Sequence, residues 1–150
     1  MPVAVADTTP LRYLTEIGHL DLLPRLLETI FIPPVVYQEL QHPGGLQIVL
    51  TVLFSAPAWL KIVPTEVADD DRVLIALDDG EKAALTLGVN VGAGLILLDE
   101  RKGAAAARIK GLEFTVTLGI LIRASQRQWI DLAEFFARAR QTKFYSTPSA

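Results

Sequence analysis

The sequence predicts an α/β fold of three layers, α/β/α, around a mainly parallel central sheet. Three observations lead there. Short, fully apolar runs at 3–6 and 94–98 alternate with helix-like segments, as strands covered on both faces do. The chain has 150 residues, 51% of them hydrophobic, enough for one domain burying roughly 70% of the surface its unfolded form exposes. No repeat, low-complexity tract or Ser/Gly-rich linker divides it, so a single domain over 1–150 is expected.

Residues 3–6 read as the first strand, which stops at Asp7. Thr9 is placed at the N-cap and Pro10 at the first position of a helix running to about Gly18, with Leu11, Leu14 and Ile17 on one face. A second helix is expected at 20–27. Residues 29–32 read as a strand ended by Pro33-Pro34, and 35–40 as a helix begun behind a proline. His42-Pro43-Gly44-Gly45 breaks it, 45–54 are expected to be helical, and 59–63 form a short strand. The apolar stretch 48–54, with Trp59 and Leu60, is read as core, the alternative being a partner groove. An acidic connector at 65–72 leads to a helix at 78–87, whose Asp78 and Glu81 have the spacing of a capping box. The strand at 94–98 ends at Asp99. A helix at 104–110, a strand at 113–116 and helices at 118–126 and 131–141 complete the pattern.

Composition removes several classes of function. With no cysteine there is no disulfide framework, thiolate zinc site or Cys nucleophile, and a cytoplasmic location is expected. The N-terminus lacks a basic n-region, and the most apolar internal stretch, 48–63, holds Thr51, Ser55, Pro57 and Lys61, so neither a signal peptide nor a membrane span is expected. The glycine-rich stretch 88–94 precedes a strand where a phosphate loop follows one. A dehalogenase-type phosphatase needs an acid where Thr9 stands, and a receiver domain needs an acidic pair where Asp7 stands alone. His19 and His42 have no metal-ligand spacing. The net charge of −3 argues against a nucleic-acid partner, but it conceals a division. Residues 1–100 carry 5 basic and 14 acidic side chains, a balance of −9, and residues 101–150 carry 9 and 3, a balance of +6. The basic half, from Arg101 and Lys102 through Arg108, Lys110, Arg123 and Arg127, permits an RNA backbone to approach.

In open parallel sheets, ligands bind beyond the carboxyl ends of the strands. Asp7 and Asp99 close two strands at that edge, and Glu39 and Glu81 belong to helices that emerge beside it. Each has a plain alternative: Asp99 as a helix cap, Glu81 as half of a capping box, Glu39 as a solvated surface charge. Four acids drawn together repel and raise one another's pKa unless a cation neutralises them. An all-carboxylate set suits Mg²⁺ or Mn²⁺, hard ions that take oxygen ligands, and not zinc.

In this order, Asp7-Thr8-Thr9-Pro10-Leu11, Pro34-Val35-Val36-Tyr37-Gln38-Glu39-Leu40, Asp79-Gly80-Glu81-Lys82-Ala83-Ala84-Leu85 and Leu97-Leu98-Asp99-Glu100-Arg101-Lys102-Gly103 resemble the PIN domain. The nearest branch is the VapC-like, toxin-related one, in which Asp-Gly-Glu opens the helix bearing the third acid. The resemblance implies a metal-dependent ribonuclease, often the toxin of a toxin–antitoxin pair. It makes Asp7, Glu39, Glu81 and Asp99 the catalytic, Mg²⁺- or Mn²⁺-binding acids, with Glu100 the alternative fourth ligand and Thr9 a hydroxyl that orients the first acid or a water. It also implies a homodimer and an antitoxin whose C-terminal segment covers the acidic cleft. Arg101 and Lys102 are the candidate RNA-binding cations. Ala104 stands where the branch usually has a basic residue, and Val116 where it commonly has Gly. Residues 144–150 resemble the start of a last element that then stops, so truncation is expected there. The competing expectation is an inactive PIN-like module that binds an antitoxin or another protein without catalysis.

Overall fold

A computed structural model describes residues 3–41 and 57–139. The helix expected at 45–54, the apolar stretch 48–54, His42 and the segment 144–150 lie outside the described residues. Five strands form one sheet: β1 (Ala4–Ala6), β2 (Ile30–Ile32), β3 (Leu60–Ile62), β4 (Leu95–Leu97) and β5 (Phe114–Thr115). All pairings are parallel, in the order β3-β2-β1-β4-β5. The helices among the described residues are α1 (Thr8–Glu16), α2 (Leu22–Leu26), α3 (Pro34–Leu40), α4 (Asp79–Val91), α5 (Arg101–Ile109), α6 (Thr117–Gln126) and α7 (Leu132–Ala139).

β1, β2 and β4 are apolar at every position because both faces are covered, and their period of two distributes side chains between two cores, while the edge strands β3 and β5 carry Lys61 and Thr115. Ala4, Ala6, Ile30, Ile32, Leu95 and Leu97 join one core with Leu11 and Leu14 of α1, Leu22 and Leu23 of α2, Leu40 of α3 and Ile120 of α6. Val5 and Ile96 point the other way, against Ala84, Leu85 and Leu87 of α4 and Ala106 and Ala107 of α5. This is the three-layer α/β/α arrangement. None of the described helices is long and apolar enough to cross a membrane.

Three helix boundaries depart from the sequence reading. Asp7, not Thr9, occupies the N-cap of α1, with Thr8 and Thr9 as its first two residues and Pro10 as the third. Proline lacks an N–H that no first-turn residue uses, so it fits there as well as at the first position. α5 begins at Arg101 rather than near 104, with Gly103 of its first turn buried against Leu98 and Glu81. α4 continues through Gly88 to Val91, since a Cβ at Gly88 would collide with the Ile96 side chain on β4. That glycine serves close helix–sheet packing, not a loop.

Candidate active site

The connections fix where a site can form. From β1 the chain moves outward to β2 and β3, then returns across the sheet to β4 and β5 on the other side of β1. The carboxyl ends of β1 and β4 therefore diverge into connections on opposite faces, and a crevice opens between them. Asp7 follows β1 directly, and its backbone N–H donates to the Leu97 carbonyl at the end of β4 (2.9 Å). Asp99 follows β4 two residues on.

Asp7 is buried, at 4% exposure, and although it holds the N-cap position its side chain makes no capping bond. Its pKa is pushed up from 3.8 to about 7, chiefly by burial; the Thr8 backbone N–H pulls against this, while the charges of Asp78, Glu81 and Glu39 add to it. Glu39, near the end of α3, shares this space. A Cβ built on Gly80, in the first turn of α4, would stand 2.5 Å from Glu39 Oε1 and 3.0 Å from Asp7 Oδ1. The two carboxylates thus face each other over a bare stretch of backbone that only glycine leaves open.

Glu81 has two separate engagements, one per oxygen. The capping box is formed: Glu81 N–H donates to Asp78 Oδ1 (2.8 Å) and Asp78 N–H donates to Glu81 Oε1 (3.0 Å). The other oxygen, Oε2, is buried without a hydrogen-bond partner, in a residue only 4% exposed. It lies near Gly103, where a Cβ would be 3.5 Å away. Burial raises the Glu81 pKa first of all, against the Asp78 N–H bond, with the charges of Asp78 and Glu100 raising it further. The structural and the functional readings of Glu81 therefore hold together, on different atoms.

Asp99 is placed otherwise. Oδ1 accepts from the Thr117 N–H (2.7 Å) and Oδ2 from the Thr117 hydroxyl (2.6 Å), so both oxygens bind the first residue of α6. Glu100 is exposed at the N-cap of α5, makes no capping bond, and its charge acts on Glu81. Thr9 is half-buried, and the hydroxyl that reaches an acid is that of Thr8, which donates to Glu39 Oε1. Arg12, one turn further on, donates from its guanidinium to the Glu39 carbonyl oxygen. Sequence reasoning missed Thr8, Arg12 and Thr117. Nothing local marks any of the three, since each contact spans 18 to 31 residues.

The cationic half resolves into two groups. Arg101 and Lys102 are exposed in the first turn of α5, at the edge that carries the acids. Lys110 pairs with Asp71, holding that carboxyl below its usual range, Arg108 lies over the Phe114 ring, and Arg127 with Arg25 lies over Trp129. These face other work at the far ends of α5 and α6.

The donor set is all oxygen, with a buried orphan atom on Glu81, a buried Asp7 beside a half-buried Glu39, and a glycine that keeps space between elements. Those features suit a hard divalent cation held by Asp7, Glu39 and Glu81. Among the described residues no three acids or histidines are yet gathered closely enough to hold one ion, so occupancy requires these side chains to draw inward.

A family model described as a PIN domain matches residues 3–150. A search of curated proteins finds no match. PIN domains are generally nucleases and typically use divalent metals. With the parallel 3-2-1-4-5 sheet and acids at its switch point already in view, the match over nearly the whole length settles the family: the chain belongs to the PIN domain family.

Proposed function

We propose that this chain is an Mg²⁺- or Mn²⁺-dependent endoribonuclease of the VapC-like branch, the toxin of a type II toxin–antitoxin pair. The observation that carries the reading is buried Asp7 beside half-buried Glu39, with the unpartnered, buried Glu81 Oε2, at the carboxyl ends of β1 and β4. Three carboxylates so close, one with a buried oxygen that has no partner, are costly unless a cation joins them. When bound, that ion offsets charge building on the scissile phosphate and acidifies water. Asp7, Glu39 and Glu81 are its holders, with Glu100 better freed than Asp99 to be the fourth. Arg101 and Lys102 meet the RNA backbone from the rim. The Asp79-Gly80-Glu81 start of α4 supports the branch assignment. The antitoxin partner, the homodimer and the cytoplasmic location belong to the same proposal.

The test is incubation of the purified chain with structured RNAs, with Mn²⁺ or with chelator, beside Asp7→Asn. Cleavage that needs the metal and is lost in the variant supports the reading; cleavage that survives both overturns it. The second reading, an inactive module that binds a protein partner, draws on Asp99, whose oxygens are both taken by Thr117, and on Ala104 in place of a basic residue. No Mn²⁺ binding by calorimetry, together with a co-purifying partner that leaves the Asp7 crevice empty, decides for it.

A further inference from the structure

Thr8 and Arg12 lie four residues apart on α1, hence on one face, and that face meets α3. Both hydrogen bonds from this face end on a single residue. The Thr8 hydroxyl holds the Glu39 side chain through Oε1, and the Arg12 guanidinium holds the Glu39 main chain through its carbonyl oxygen. Glu39 is the next-to-last residue of α3, where the helix end favours a cation, so the Arg12 guanidinium suits its carbonyl.

Packing alone does not account for the pair. Valine would fill the volume of Thr8 against α3 without a hydroxyl that must be satisfied, and Thr8 is only 7% exposed. Arg12 keeps its Nε buried with no partner, a desolvation cost that an apolar residue would avoid. What the two achieve together is to set one carboxylate: Glu39 is held at chain and tip while Gly80 leaves the space beside Asp7 clear.

We propose that Thr8 and Arg12 are positioning residues that preset Glu39 against Asp7, so that two donors for a divalent cation stand in place before it arrives. The inference rests on the metal-holding reading of the site given above. Groups that orient a ligand are typically worth roughly 10- to 100-fold in metal affinity. The test is Mn²⁺ calorimetry at pH 8 on the whole chain and on Thr8→Val, Thr8→Ser and Arg12→Gln, with urea unfolding of each.

Thr8→Val is expected to weaken Mn²⁺ binding by that factor while its urea midpoint stays near the wild-type value, and Thr8→Ser, which keeps the hydroxyl, to restore affinity. Arg12→Gln is expected to weaken binding as well, which keeps the test open should one variant fold poorly. Wild-type affinity in Thr8→Val and Arg12→Gln overturns the positioning role and leaves the metal reading intact. Absence of Mn²⁺ binding by the wild-type chain overturns both.

Discussion

Gly80 lacks a side chain where one would press on Glu39 and Asp7, so its replacement separates function from stability. Alanine is the better helix former by about 1 kcal/mol, and the atom it meets first is the movable tip of Glu39. Gly80→Ala is expected to leave urea stability within about 1 kcal/mol of wild type yet to weaken Mn²⁺ binding at least tenfold, roughly; unchanged affinity would show that the crevice is not where the ion sits. Asp7 makes a second case. Its folded-state pKa of about 7 lies above the 3.8 of a free carboxyl, so between those values the folded chain holds a proton that the unfolded chain has lost. Through Asp7 the metal-free fold therefore gains a contribution that is fully present below about pH 4, falls as pH rises, and is lost above pH 7, on the order of 4 kcal/mol at most. Asp7→Asn removes the titration: the metal-free variant is expected to exceed wild type at pH 8 and to match it near pH 4 in urea melts. Parallel pH profiles would count against the buried-acid account. At this scale the sequence showed Asp7, Glu39 and Glu81 through their positions beside apolar runs and helix starts. It did not show that the Thr8 hydroxyl reaches Glu39, because which threonine faces α3 depends on where α1 begins.

Among the elements, the ends of α1 and α5 were legible, whereas α4 runs four residues past its expected end at Leu87. α1, α4 and α5 finish in left-handed glycines, Gly18, Gly92 and Gly111, with φ of +77°, +63° and +74°. α6 makes the same turn with Gln128 at φ +63°, Trp129 N–H returning to the Ala124 carbonyl at 2.9 Å. A side chain with a Cβ pays about 1 kcal/mol there. Gln128→Gly is thus expected to raise stability by about that amount, read as a higher urea midpoint at unchanged m-value; a lower midpoint would mean that the Gln128 side chain holds something the backbone argument omits. The capping box of α4 was legible because Asp78 and Glu81 satisfy each other locally. The start of α5 was not, because its two leading cations and uncapped first turn oppose the helix dipole. Gly103 packs there, buried beside Leu98 and Glu81.

For the whole molecule, ligand binding and folding are linked at the switch point, since Asp7 and Glu39 join α1, α3 and α4 around the ends of β1 and β4. A cation that binds only the folded chain stabilises it by about 2.7 kcal/mol at one hundred times its Kd. Mn²⁺ is expected to raise the thermal midpoint by several degrees at pH 8 and by much less at pH 5, where Asp7 holds a proton; an equal rise at both values, or none, would separate the metal from Asp7. The sequence by itself determined the fold class and the order of its elements, because short apolar runs of four or five residues, bounded by turn and cap signals and alternating with helix-like segments, read as strands covered on both faces. It also determined which acids stand at the carboxyl edge, since that follows from strand ends. Only the tertiary structure decided how each acid is used. Asp99 turns both oxygens to Thr117, Glu81 divides its oxygens between cap and crevice, and Lys110, Arg108 and Arg127 are engaged by Asp71, Phe114 and Trp129. The reason is physical: hydrogen bonds and ion pairs act over about 3 Å, and which partners come within that range is set by the packing of elements far apart in the chain.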